Sequence, residues 1–463
     1  MSIPGLGQIT PQAAAATTIR TIALQPLWEW RFEVPRRSAG ITVRLVTGSA
    51  ERDGTPLAVN RTYTFVRTKS KLLTWHGCTL EVNGDCDAYV AEYAAPEDSP
   101  MVSYLNLHFA LKERRDHVRA MSGAAQNRAL LGPRVMVCGP KNSGKTSLAR
   151  TLVAYATRMG AQPLVASVDP GEGLLSLPGT MSAAVFGTVM DVEDPAGGFG
   201  VRGTPSTGPS TVPVKLPIVY YFGREKVEDD GPFWRELVSK LAGSARVKMD
   251  EVDDVRCTGL VLDTPAVAAN QSGIDILVHA AREFAVNVVV VLGSAGMNAE
   301  LQRRLAHEKT RFGEPITVLL LDKSEGVAER DKAWMRGVGE EAIKEYFFGD
   351  PKRTLSPFTH SVTYEELTVL KVPDESEYFE GQQVLIPAEI SPEMSNWTLA
   401  VMDASVNDPP EIIRQAAILG FIAIADVDEE RRRVKFLSPV SGRLGNRPLV
   451  WGRWPEPYIN LVG

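Results

Sequence analysis

From about Leu24 to Leu107 apolar and polar residues alternate in short runs: WEWRFEV, ITVRLVTG, TYTFV, LLTWHG, TLEVNG and AYVAEY. Asp53-Gly54 and Asn83-Gly84 punctuate them. Alternation of period two buries one face of a strand, so this stretch predicts a small β-sandwich or barrel. SYLNLHFALKERRDHVRAMSG then carries apolar residues at helical spacing with a basic face, which predicts a connecting helix. From Gly132 the pattern becomes strand–helix–strand. Arg134 to Cys138 is a continuous apolar strand, SLARTLVAYATRMG a helix and PLVASVD a strand. GLVLDT, helix IDILVHAAREFA, NVVVVLG and ITVLLLD follow. Fully apolar strands alternating with helices indicate a doubly wound parallel sheet. Asp194 to Pro213 is rich in Gly, Pro, Ser and Thr and reads as an exposed insertion. After EEAIKEYFFGD the chain is again strand-rich to Gly463, and no internal repeat is evident.

The 463 residues allow two to four domains at about 100–200 residues each, three being central. The expected division is a disordered tail over 1–20, an N-terminal β-sandwich over 21–125, a central P-loop domain over 126–350 and a small β-rich α/β domain over 351–463. Lys and Arg total 50 against 56 Asp and Glu, a net charge of −6. That excludes a polycationic nucleic-acid coat but not a local basic site. Cys78, Cys86, Cys138 and Cys257 stand far apart without a CxxC pair, so reduced structural thiols are expected. No apolar run reaches the roughly 18–20 residues of a membrane helix. The N-terminus lacks a basic start and apolar core, which points away from a secretory signal and toward cytosol or nucleus.

Gly139-Pro-Lys-Asn-Ser-Gly144-Lys145-Thr146 fits GxxxxGK[ST] between a predicted strand and a predicted helix. Glycines let backbone N–H groups curl around phosphate oxygens, and the helix N-terminus adds its positive dipole end. Gly139, Asn142, Ser143, Gly144, Lys145, Thr146 and Ser147 are therefore the candidates to bind ATP or GTP. Lys145 would reach the β/γ phosphates, and the Thr146 hydroxyl would ligate Mg2+. Asp169 ends the next strand and either binds Mg2+ or caps its turn. Asp263-Thr264-Pro265 ends another strand, at the place of a γ-phosphate sensor. Lys323, Arg330, Lys332 and Arg336 fall on a predicted helix that is either a cationic lid or a solvated charged face.

Many ordered blocks are present: WRFEV, RLVTGSAERDGTPL, TWHGCTLEV, YLNLHFAL, GPRVMVCGPKNSGKTS, VDPGEG, LPGTM, PIVYYFG, KSEGVAERDK, EYFFG, GFIAIADVD and LSPV. Together they resemble the Clp-type subunit of the mRNA cleavage and polyadenylation machinery, a relative of the polynucleotide 5′-hydroxyl kinases. The resemblance spans nearly the whole chain. It implies three domains and a nucleotide clamped between the first two. It also implies contacts to the adenine end from Glu29 and from a lysine just before TWHG, either Lys69 or Lys71.

Three departures from the kinase pattern follow. The kinase block D-x-D-x-G-Q reads Ser167-Val-Asp169-Pro-Gly171-Glu172. The tryptophan that stacks on an RNA end is missing near Asp263, where the chain reads Thr264-Pro-Ala266. Of two lid arginines Arg330 matches, while the second position is Met335 with Arg336 one residue on. Stacking on an aromatic is worth roughly 1–3 kcal/mol per base, so RNA contact should be weak. The resemblance is closest to the fungal branch. It implies an ATP-binding subunit of cleavage factor IA, nuclear, without kinase or ATPase turnover. Its nucleotide would support assembly with the scaffold subunit and other 3′-end processing factors. The alternative is an active RNA 5′-hydroxyl kinase using Lys145, Asp169 and Arg330. A GTP switch fits less well, because Leu321-Asp322-Lys323-Ser324 is a poor guanine-reading motif.

Overall fold

The computed structural model describes residues 19–36, 38–125, 130–187, 189–193, 217–350, 353–373, 384–442, 444–459 and 461. Most of the expected tail and all of the Asp194 to Pro213 insertion lie outside the described residues. Arg20, inside the expected tail, already opens a strand over Arg20–Leu24. The chain forms two compact units, one holding 19–52, 56–94 and 192–193 among the described residues, the other the rest.

The first unit is a sandwich of antiparallel sheets. One sheet orders Arg20–Leu24, Cys78–Asn83, Ile41–Gly48 and Thr62–Phe65; the other includes Glu51–Arg52, Lys69–Leu73, Glu29–Glu33 and Asp87–Ala91. The alternation foreseen in the sequence is realised: Ile41, Val43 and Leu45 are buried, as are Cys78, Leu80 and Val82. In Glu29–Glu33, Trp30 and Phe32 turn into the core, stacked at 4.5 Å. Glu29, Arg31 and Glu33 take the opposite face, because successive strand residues point to opposite sides.

The second unit contains a seven-stranded sheet in the order Ile218–Tyr221, Thr180–Val185, Leu164–Ser167, Leu260–Asp263, Arg134–Cys138, Val288–Leu292, Thr317–Leu321. The last five run parallel, as the apolar runs imply, and two antiparallel strands extend one edge. The sheet brings Ser167 beside Asp263 and Val137 beside Asp263, so the strand ends carrying the candidate chemistry lie side by side. The antiparallel pair and the helix Gly231–Glu251 were not foreseen. The connecting helix runs Pro100–Ala125; its buried Arg115 donates to Thr258 O at 2.9 Å.

A second sheet of the same unit orders Phe358–Thr363, Arg433–Ser438, Ile418–Asp428, Thr398–Met402, Leu449–Trp451, Val369–Lys371 and Ile386–Pro387. Leu177 and Tyr221 share one core cluster with Ile343 and Phe347 of helix Lys332–Phe348 and with Phe421 and Leu437. The Tyr221 hydroxyl donates to Trp454 O at 2.9 Å. Gly179 sits at this seam. Its N–H donates to Pro170 O at 2.7 Å, and its O accepts from the N–H groups of Phe222 and Gly223. Its φ is +89°, and an added Cβ would lie 2.6 Å from Trp454 O, so only glycine fits. The four cysteines are free thiols. Among the described residues no helix is long and apolar enough to cross a membrane.

Candidate functional site

The loop between strand Arg134–Cys138 and helix Lys145–Arg158 has the geometry its sequence requires. Gly144 is the N-cap at φ +89°, and no side chain caps the first turn, so its amides are left for an anion. A Cβ at Gly144 would lie 2.8 Å from Val327 Cγ2, which places the 323–331 loop directly against the phosphate loop. Lys145 is buried, its Nζ donating to Pro140 O at 3.2 Å. Ser143 is also buried, and its Oγ has no hydrogen-bond partner.

Thr146 Oγ1 lies 2.9 Å from Asp263 Oδ2 and 3.5 Å from Glu172 Oε2. A hydroxyl has one proton, and the shorter contact to Asp263 is the better bond. Asp263 is 2 % exposed, and its other oxygen, Oδ1, has no partner. Asp169 Oδ1 accepts from Gly171 N at 2.9 Å, so this carboxyl does cap its own turn. Removal from water, then the charge of Glu172, pushes Asp169 up to about 7 against the pull of Lys145. Asp263 is likewise raised to about 7 by burial and by Glu172, with Lys145 and the Thr146 bond opposing. Three carboxyls thus face one lysine and one hydroxyl. Such a set fits a hard divalent cation, which takes one or two protein oxygens and completes its shell with phosphate and water. Among the described residues no group of three His, Cys, Asp or Glu closes into a protein-only metal cage. Glu172, absent from the expected binding set, was visible only as a departure from the kinase pattern.

Within the sandwich unit, Glu29 is fully buried and paired with Arg31 at 2.8 Å and with Lys71. Lys69 instead pairs with Glu33 at 2.9 Å, which separates the two lysine candidates. The pairing register explains this: Lys71 stands opposite Arg31, within diagonal reach of Glu29, whereas Lys69 stands opposite Glu33. Arg31, not singled out in the sequence, also donates to the hydroxyls of Tyr89 and Tyr93 at 3.3 and 2.7 Å. Burial works to lower its pKa, but the Tyr89 bond and Glu29 outweigh it and hold the guanidinium above its ordinary value.

The lid cations do not share a helix. The helix begins at Lys332, with the Asp331 carboxylate accepting from Trp334 N at 2.7 Å, and Lys323 and Arg330 lie on the preceding loop. Ser324 stops an earlier start: its O accepts from Val327 N at 3.1 Å and its Oγ from Gly326 N at 3.3 Å, making a turn. Arg336 is on the helix but faces Glu340 and Glu456 at 3.3 and 3.4 Å. Ala266, just past strand Leu260–Asp263, is exposed.

Three family models match in chain order. Residues 23–118 match the N-terminal beta-sandwich domain of polyadenylation factor, and 139–349 match the mRNA cleavage and polyadenylation factor CLP1 P-loop. Residues 355–456 match the Pre-mRNA cleavage complex II protein Clp1. The chain is 58% identical to the mRNA cleavage and polyadenylation factor CLP1 of Chaetomium globosum and 56% identical to that of Neurospora crassa. In each case 100% of both chains is covered. Two solved structures align over 94% of this chain at 26% identity. One is a wild-type Clp1p–Pcf11p complex, with TM-score 0.81 over 97% of that chain. The other is described as an extended interface between Pcf11p and Clp1p and the structural basis for ATP loss in a glycine-to-arginine point mutant, with TM-score 0.82 over 98% of that chain. On this whole-length likeness the chain belongs to the Clp1 family of mRNA cleavage and polyadenylation factors.

Proposed function

We propose that this chain is the ATP-binding subunit of a nuclear pre-mRNA 3′-end cleavage and polyadenylation complex. It holds Mg2+·ATP as a structural ligand while assembling with a Pcf11-type scaffold subunit of cleavage factor IA. The observation that carries the reading is the Thr146–Asp263 bond at 2.9 Å beneath an uncapped phosphate loop, with no aromatic at Ala266 to hold an acceptor strand. Gly139, Asn142, Ser143, Gly144, Lys145 and Ser147 would cradle the phosphates. Thr146 and Asp169 would serve the cation, with Asp263 beside them. Glu29 and Lys71 are the base-reading candidates, supported by their buried pairing within the sandwich. The same reading keeps the division at 1–20, 21–125, 126–350 and 351–463. A bound ligand stabilises its host by RT ln(1 + [L]/Kd), about 4 kcal/mol at a thousandfold excess.

The test is the nucleotide released on denaturing the purified protein. ATP at near one equivalent, without steady turnover, supports the proposal; no nucleotide, or sustained hydrolysis, overturns it. Transfer of labelled γ-phosphate to a 5′-hydroxyl RNA oligonucleotide, abolished by Lys145→Ala, would establish the kinase instead.

A further inference from the structure

Val168 follows the last residue of strand Leu164–Ser167 and precedes Asp169. The antiparallel ladder ends at Ser167 opposite Ser182, so that ladder offers nothing to the Val168 carbonyl. Both backbone groups of Val168 are nevertheless bonded. Its N–H donates to Asp263 O at 3.1 Å, and its O accepts from Trp234 Nε1 at 3.0 Å. Trp234 and Val168 are both fully buried. Trp234 lies on helix Gly231–Glu251, its ring 6.0 Å from that of His279, whose Nε2 meets Arg235 O at 3.2 Å. A buried indole N–H usually finds some acceptor. Most such acceptors would serve packing alone; this one lies on the peptide that leads into Asp169, and the same residue is tied to the backbone of Asp263.

We infer that Trp234 is a positioning residue for the phosphate site, acting through Val168 to hold Asp169 in register with Asp263. This rests on the Mg2+·ATP reading above. One carboxyl arrives from each of two neighbouring strand ends. Their separation depends on the Val168 peptide, which the helix grips from one side and the Asp263 strand from the other. Losing the indole N–H leaves a buried carbonyl unpaired and lets the 168–171 turn shift, while the phosphate loop on the adjoining strand stays in place.

The experiment replaces Trp234 by benzothienylalanine, which keeps the bicyclic shape and removes the donor; Trp234→Phe serves as the genetic counterpart. Nucleotide is stripped, and ATP affinity is measured with and without Mg2+. Amide hydrogen exchange at Val168 and Gly171 is followed in the ligand-free protein. The inference expects the Mg2+-dependent tightening to fall about fivefold, the worth of one hydrogen bond. Mg2+-free affinity should hold, Tm should drop slightly because the Val168 carbonyl is left unpaired, and exchange at the two amides should accelerate. An isostere that keeps the wild-type tightening overturns the inference alone. Equal loss with and without Mg2+ also overturns it, because that is a purely structural role. If wild type itself shows no Mg2+-linked tightening, the underlying reading of the site falls, and the inference with it.

Discussion

The guanidinium carbon of Arg414 lies 3.5 Å from the ring centroid of Phe233 while its Nη2 meets the carboxylate of Asp230. Asp230 also accepts from Phe233 N at 3.2 Å, so one carboxylate caps helix Gly231–Glu251 and binds a residue of the C-terminal sheet region. Asp230 is 4 % exposed. Removing one partner of a buried pair strands the other, typically at 3–5 kcal/mol. Asp230 keeps the Phe233 N–H, so Arg414→Ala should destabilise the protein by about 3 kcal/mol, the low end of that range. Urea unfolding should show less loss when Asp230→Asn is added.

His108 gives a pH dependence. It is buried on the connecting helix, its Nδ1 has no hydrogen-bond partner, and its ring sits 5.2 Å from that of Tyr155. Burial first, then Arg115, Lys112 and Arg158, depress it to about 4. The folded state favours neutral imidazole, so this contribution is complete above the unfolded pKa near 6.5. It declines as pH falls from there through 4. At about 1.4 kcal/mol per pKa unit, discounted for partial solvation, the loss is about 2 kcal/mol. His108→Gln should flatten the stability profile over that window, as read by urea midpoints at stepped pH.

At the phosphate loop, Lys145→Met removes the one lysine facing three carboxyls. A charge-assisted bond is worth about 1.5–3 kcal/mol, so ATP affinity should fall about tenfold to a hundredfold. Thr146→Val should weaken binding in the presence of Mg2+ more than in its absence. Titration calorimetry with and without the metal separates the two.

Gly144→Val should abolish nucleotide retention while the chain stays folded. A φ of +89° is strained for any L side chain, and the new Cβ would press on Val327 at 2.8 Å. Adding Val327→Ala should recover part of the nucleotide content, read on the denatured extract, because it relieves the contact but not the backbone strain.

Glu172→Gln removes a charge that raises both Asp169 and Asp263. Both carboxyls should then ionise at lower pH, so Mg2+-dependent ATP binding should persist to a lower pH than in wild type. Binding isotherms between pH 5 and 8 would check this.

The sheet core was legible because parallel strands are buried on both faces and read as unbroken apolar runs, as Val288–Leu292 does. The phosphate loop was legible because its chemistry is local. Strands Thr180–Val185 and Ile218–Tyr221 were not, since they are held by pairing across distant sequence. The helix expected from Lys323 broke because the side chain of Asp331 and the turn at Ser324 outcompete charged residues of ordinary helix propensity. That Lys69 and Lys71 pair with different glutamates depends on the register against Arg31 and Glu33, which no single strand encodes. Arg31 and Trp234 carried no local signal, because what distinguishes them is the partner each meets after folding.

The seam at Gly179 links stretches of the chain about 275 residues apart. The turn that begins at Asp169 is fastened through Pro170 and Gly179 to a backbone stretch that closes on Trp454. A premature stop just before Trp454 would leave every phosphate-loop codon intact and still loosen the wall of the nucleotide site. In a genetic screen, nonsense alleles falling just before the Trp454 codon should therefore cluster in phenotype with missense alleles of the phosphate loop.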